Sequence, residues 1–378
     1  MKKVVIIPDS FKGTMSSSEI CTIVEQNIRR HYPDAEIVSI PVADGGEGSV
    51  DAFLSAVGGE RIVKYCIGPY EDEYVEGYYG MLPGDTAVVE MAAAASLSLA
   101  GNLRDPSKTT TLGVGELIRD ALDRGARKII LGLGGSCTND AACGLASFLG
   151  VEFYDESGNR FLPVGGDLDR IADVDFSRMD PRVREVPIIV MCDIDNPFYG
   201  KDGAAYVFAP QKGADDDMVE LLDQNLRYLA SFLKERTGID VQEIPGSGAA
   251  GGMGGGMAAM FGSSLMLGIE AVLDTIHFDD ILEGADLVIT GEGKLDAQSL
   301  RGKVVMGVAR RARKKGIKTI AIVGDIGEDI GAIYDEGIDG VFSINRVAVE
   351  YADARLRARE DMALTVDNLM RLLKSLGF

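Results

Sequence analysis

The segment ADLVITGEGKLDAQSLRGK (285–303) constrains the fold of this chain more than any other. Its apolar run Leu287-Val288-Ile289 closes on Thr290 and Gly291. A short continuous run bounded by glycine reads as a buried parallel strand with a turn at its carboxyl end. The N-terminus repeats the pattern: Val4 to Ile7 form a strand, and the loop Asp9-Ser10-Phe11-Lys12-Gly13-Thr14 follows it. Ser16 and Glu19 have capping-box spacing, and Ile20, Ile23, Val24 and Ile28 share one face of the helix they open. A second strand, 36–41, precedes Asp44-Gly45-Gly46-Glu47-Gly48 and a helix around 50–57. The same alternation returns near the C-terminus as helix 268–282, strand 286–290, helix 303–314, strands 318–323 and 340–344, and a last helix over 360–376.

The middle differs. Residues 61–91 contain β-rich runs separated by Gly, Pro and Asp turns, which predict largely antiparallel strands. Helix 113–124, strand 128–133 and strand 186–193 follow, then a helix over 215–237 with Met218, Leu221, Leu222, Leu226 and Leu229 inward. Beyond 245 the chain is glycine-rich. The expected fold is α/β. Both chain ends (1–60 and 250–378) form a Rossmann-like, doubly wound domain, and a mixed α/β domain (61–249) is inserted between them. Ligands are expected at carboxyl strand ends, in an inter-domain cleft.

Composition narrows the chemistry. The 378 residues, 46% of them hydrophobic, suffice for roughly two domains. A net charge of −21 repels nucleic acid and anionic membranes, so neither is an expected partner. The absence of a signal-peptide or membrane-length run predicts a cytoplasmic protein. Oligomeric state is left open. Five scattered cysteines without a CxxC, and two histidines, argue against a zinc site and a Ser-His-Asp triad. Catalysis is left to carboxylates, lysine and backbone amides.

Such groups gather in the loops after the strands. Ser10 and Lys12 lie before a helix N-terminus, an anion site by construction, where Lys12 suits a phosphoryl group or a carboxylate. Asp44 occupies the equivalent loop after the second strand, where it would point into the same crevice or cap the next helix. Gly132-Leu133-Gly134-Gly135-Ser136-Cys137-Thr138-Asn139-Asp140 joins glycines, hydroxyls and an Asn-Asp pair suited to phosphates and a metal-bound nucleotide, although GxxxxGK[ST] occurs nowhere. Asp193 and Asp195, at i and i+2 of an extended segment, suit Mg²⁺ or an Asx turn before Pro197. Glu292 and Asp296 suit a magnesium or general-base site, or a helix cap. Gly246 to Gly251 match GxGxxG but lack a good preceding strand, so a tightly packed loop and helix is expected there.

Together these segments resemble the type-1 glycerate kinase family. The resemblance runs end to end through PDSFKG (8–13), PVADGGEG (41–48), GVGELI (113–118), GLGGSCTND (132–140), CDIDNP (192–197), VFAPQKGA (207–214), GAAGGMG (248–254), GIEAVL (268–273) and DLVITGEGKLDAQSLRGK (286–303). Ala141-Ala142-Cys143, Phe198-Tyr199 and Asn345-Arg346-Val347 depart from the family pattern. The resemblance implies transfer of the γ-phosphoryl of ATP to a hydroxyl of D-glycerate with Mg²⁺, the 2-hydroxyl favoured over the 3-hydroxyl. It implies catalytic roles for Lys12, Asp193 and Asp296, and metal ligands among Asp193, Asp195, Glu292 and Asp296. Substrate or nucleotide contacts would come from Ser10, Asp44, Ser136, Thr138, Asn139, Gly248, Gly251, Gln298, Arg301 and Lys303, with Arg301 or Lys303 facing the glycerate carboxylate. Domain closure would exclude water. An NAD(P)-dependent oxidoreductase and a non-catalytic small-anion sensor are the competing readings.

Overall fold

Lys3–Pro8 and Leu287–Gly291 pair in parallel, Val4 beside Leu287 and Ile7 beside Thr290. They form the centre of a five-stranded parallel sheet in the order Gly340–Ser343, Lys318–Val323, Leu287–Gly291, Lys3–Pro8, Glu36–Ser39. The structure, a computed structural model, describes residues 1–42, 48–102 and 104–378, without the side chains of Gln298 and Arg301. Counted along this unit, the strand order is 2-1-3-4-5, a doubly wound arrangement whose switch point lies between strands one and three. The Thr290 hydroxyl donates to Ile7 O across that point at 2.8 Å, and Asp9 N donates to Gly291 O at 2.8 Å.

A parallel sheet needs cover on both faces. Ile20, Val24 and Ile28 of helix Ser17–His31, with Met362, Val366 and Leu369 of helix Tyr351–Ser375, pack over Val4, Ile6, Leu287, Ile289, Ile320 and Ile322. On the alternate positions, Ala321 and Val323 meet Val305, Met306 and Ala309 of helix Val304–Lys314. The capping box forms as expected: Glu19 N donates to Ser16 Oγ and Ser16 N to Glu19 Oε2.

The second unit has a six-stranded sheet in the order Ser264–Met266, Ile188–Met191, Lys128–Gly132, Thr86–Glu90, Tyr74–Leu82, Glu60–Ile67. The first four run parallel, and the last two add antiparallel strands at one edge.

The chain divides into Met1–Asp44 with Ile269–Phe378, and Gly45–Gly268. The inserted unit therefore takes in two helices expected in the terminal one. Helix Ser49–Val57 is anchored there because Gly48 N and Val50 N donate to the Glu90 carboxylate, at 3.2 and 2.6 Å. Helix Ala249–Phe261 packs on Ala204–Phe208 and Asp216–Thr237. Other expectations also shift. The helix over 268–282 is broken at His277, which adopts φ 52°. Leu221 is 42% exposed, while Val219, Leu222, Leu226 and Leu229 face inward. The last helix begins at Tyr351, not near 360, because residues 351–357 are good helix formers with no apolar stripe. The short antiparallel sheet of Glu152–Tyr154, Arg160–Phe161 and Asp173–Asp175 is too brief for periodicity to reveal.

Candidate active site

Both loops at the switch point of the terminal unit carry nominated residues. Phe11 and Met15 are buried and exchange backbone hydrogen bonds, Phe11 N to Met15 O at 2.9 Å and Met15 N to Phe11 O at 3.0 Å. The turn between them presents Lys12 to solvent, with Gly13 at φ +72°, a conformation glycine adopts without strain. Ser10 is half-buried at its base. A Cβ at Gly293, in the facing loop, would lie 3.5 Å from Phe11 Cα and 3.8 Å from Lys12 N, so the two loops are neighbours.

Glu292 is 3% exposed. Its Oε2 lies 3.1 Å from the Lys303 ammonium, and its Oε1 is buried with no hydrogen-bond partner. Burial pushes the carboxyl above the ordinary glutamate range, opposed by a hydrogen bond with Ser299 and by Lys303. Asp296 is half-buried four residues on; its backbone N donates to Ser299 Oγ, and its carboxylate is 3.9 Å from Lys294 Nζ. Lys303, expected against a substrate carboxylate, is thus placed as the counter-ion of Glu292. Gln298 and Arg301 also sit on this loop, but their side chains lie outside the described residues, as does Asp44 altogether.

An orphaned buried carboxylate oxygen fits a cation. Mg²⁺ takes one or two protein carboxylates and completes its octahedron with phosphate oxygens and water. Among the described residues no three His, Cys, Asp or Glu side chains converge. The loop therefore fits a sparsely ligated Mg²⁺ of this kind, not a cage of protein carboxylates.

The inserted unit carries the other nominated residues. The Gly132–Asp140 loop follows strand Lys128–Gly132 and is held on one side by Leu97 N donating to Gly135 O and Cys137 N to Ala95 O, at 3.0 and 3.1 Å. Ser136 is 6% exposed; Thr138 and Asn139 are sealed at 0%. Thr138 Oγ1 and both amide atoms of Asn139 are buried without partners. Gly251, at φ +69°, packs on this loop so closely that a Cβ would lie 2.1 Å from Thr138 O. A Cβ at Gly248 would lie 2.1 Å from Pro197 O. Backbone packing is therefore enough to require glycine at both positions. No strand precedes the GxGxxG segment; a 3-10 turn, Val241–Glu243, does. Asp193 and Asp195 are exposed, and Asp193 Oδ1 accepts from Gly268 N at 2.7 Å.

Sequence reasoning named Asp140 only as part of the loop, and it missed Lys212. Asp140 is fully buried: one oxygen accepts from Thr111 N, Thr111 Oγ1 and Gly144 N, the other has no partner, and burial raises its pKa. Lys212 is 2% exposed and donates to Ser136 Oγ at 2.8 Å and Thr138 O at 2.7 Å. The available signal was its setting in APQKGA, a lysine amid small and apolar residues where a solvated one is unremarkable.

A model of the glycerate kinase family matches residues 4–374. The chain is 46% identical over 374 residues to the glycerate kinase of Bacillus cereus, covering 98% of each. It is 44% identical over 344 residues to the glycerate 2-kinase of Escherichia coli K12, covering 90% of each. The crystal structure of a Salmonella typhimurium LT2 protein assigned as glycerate kinase 2 superposes with a TM-score of 0.87 at 41% identity, over 99% of this chain and 98% of that one. With the family matched along nearly its whole length, the chain belongs to the glycerate kinase family.

Proposed function

We propose that this protein transfers the γ-phosphoryl of ATP to the 2-hydroxyl of D-glycerate, with Mg²⁺. The observation that carries this reading is the pairing of two neighbouring loops at the switch point of one parallel sheet. One presents Lys12, and the other holds Glu292 with an unpartnered buried oxygen. Phosphoryl transfer asks for positioning and charge stabilisation more than covalent chemistry, and these groups supply both signs of charge. The relative named for the 2-position, at 44% identity, supports that regiochemistry.

In this mechanism Lys12 neutralises charge on the transferring phosphoryl group. Glu292 and Asp296 would hold Mg²⁺, which would supply Lewis-acid stabilisation of phosphate charge. Asp296, half-buried, orients the substrate hydroxyl or takes its proton; Lys303 opposes the push of burial on Glu292 and so favours its ionised form. Asp193 and Asp195 are the alternative metal pair, with Asp193 the alternative base. Ser10, Ser136, Thr138 and Asn139 shape ligand contacts. All five cysteines are free, which suits a reducing cytoplasm.

The test is ADP release with ATP, Mg²⁺ and D-glycerate, with the phosphorus NMR spectrum of the product recorded. Glycerate-dependent ADP and a 2-phosphate coupling pattern are expected. A 3-phosphate overturns the regiochemistry. No ADP above background from folded protein overturns the kinase; nicotinamide reduction would then indicate an oxidoreductase, and glycerate binding without turnover a sensor.

A further inference from the structure

Lys212 has no part in the chemistry described above, yet an ammonium is costly to bury. Its two acceptors, the Ser136 hydroxyl and the Thr138 carbonyl, are both neutral. A hydroxyl that accepts from an ammonium still has its own hydrogen to give. The positive neighbour polarises that O–H and makes it a stronger donor. The turn cannot swing away, because residues 95–97 pair with its other side. Of the three polar side chains nominated on this loop, only Ser136 keeps access to solvent.

We infer that Ser136 donates a hydrogen bond to an anionic oxygen of a substrate, carboxylate or phosphoryl, and that Lys212 is the positioning residue that aims and polarises it. The inference rests on the reading of the Gly132–Asp140 loop as ligand-binding. It also suggests how a chain with net charge −21 could receive an anion here: the cation sits directly behind the donor, where the intervening distance is one hydrogen bond. Among the described residues, the titratable groups that act on the ammonium are Cys137 and Asp140. Burial pushes the Cys137 thiol up to about 12, so it stays uncharged, and any charge on Asp140 favours the ammonium. Burial pushes Lys212 itself down to about 8, so the polarisation should fade as pH rises through that value.

The experiment is steady-state kinetics of Ser136→Ala, Lys212→Met and the double variant, varying D-glycerate and ATP separately at saturating Mg²⁺. Ser136→Ala is expected to raise KM for one of the two anions about tenfold, the loss of one charge-assisted hydrogen bond. A change in the D-glycerate KM identifies a carboxylate ligand, and a change in the ATP KM a phosphoryl ligand. The double variant should be no worse than Ser136→Ala, because Lys212 acts only through the Ser136 hydroxyl. That KM should climb above pH 8 in the parent protein and stay flat in Ser136→Ala. If Ser136→Ala leaves both KM values unchanged while Asn139→Ala shifts either, the donor role fails and the loop reading stands. If both variants are silent, both readings fail. If Lys212→Met lowers only the melting temperature, its positioning role is overturned.

Discussion

The two units bury opposite charges under opposite conditions. In the terminal unit Glu292 is 3% exposed and faces the Lys303 ammonium at 3.1 Å. In the inserted unit Lys212 is 2% exposed and faces a hydroxyl and a carbonyl. Burial drives both toward neutrality, the carboxyl upward and the ammonium down to about 8. Glu292 has an opposite charge to resist that drive and an unpartnered oxygen to offer, which is what a metal ligand requires. Lys212 donates only to neutral acceptors, so it holds its charge less firmly and serves best behind another donor. The terminal unit is thus the candidate seat of charge chemistry, and the inserted unit a packed polar scaffold.

The largest expected effect tests that division directly. Lys12→Ala and Asp296→Asn should each lower kcat by roughly 10²–10³-fold, the range seen when a preorganised stabilising group is removed. Their melting temperatures should not move, since Phe11 and Met15, not Lys12, anchor the turn. Asp195→Asn should do far less. An equal loss in Asp195→Asn would move metal binding to the inserted unit and break the comparison.

Next in size is a packing test of the scaffold. Gly251→Ala would place a methyl 2.1 Å from Thr138 O at φ +69°. Neither backbone can yield cheaply, so a loss of about 3 kcal/mol is expected, read from the urea midpoint. Wild-type stability in this variant would mean that the Gly132–Asp140 loop is loose, and that its buried orphans are not held in place.

These sites were unequally legible in the sequence. Glu292 was visible because it ends an apolar strand and stands between glycines, a pattern that fixes both its position and its edge of the sheet. The doubly wound terminal unit was visible for the same reason, since long apolar runs alternate there with periodic helices. Lys212 was hidden, because its burial is decided by contacts with residues 136 and 138 and not by its neighbours. The break at His277 and the start of the last helix at Tyr351 were hidden too. One depends on a left-handed residue that no glycine announces. The other is a polar helix segment, held in part by the Arg357–Asp361 and Arg359–Glu19 pairs rather than by an apolar face. Ala141 and Ala142, where the resemblance leads one to expect more glycine, both adopt positive φ, 49° and 66°. The chain keeps a conformation there that its residue types disfavour.

The opposite pKa shifts predict opposite pH responses. Lys212 holds its proton less tightly folded than unfolded, so between about pH 8 and its ordinary value of 10.5 the unfolded chain binds more protons. Its contribution to stability should therefore rise with pH across that window. Glu292 holds its proton more tightly folded, so its contribution should fall as pH rises above its ordinary value of 4.5. The checks are the stability differences between the parent and Lys212→Met, and between the parent and Glu292→Gln, followed against pH. Two slopes of the same sign would mean that burial does not dominate one of the sites.

The smallest effect sharpens the comparison from the other side. A Cβ at Gly293 would meet nothing nearer than Phe11 Cα at 3.5 Å, and its φ lies outside the left-handed region. Gly293→Ala should therefore change stability by no more than about 0.5 kcal/mol. The same methyl would stand between the Lys12 turn and the Glu292 loop, where a ligand's approach is expected. A shift in KM without a shift in urea midpoint would mark this glycine as kept for a ligand, whereas Gly251 is kept for packing. If Gly293→Ala instead destabilises as much as Gly251→Ala, the two switch-point loops are packed as tightly as the scaffold. The contrast between an open charged edge and a sealed polar interior would then have to be given up.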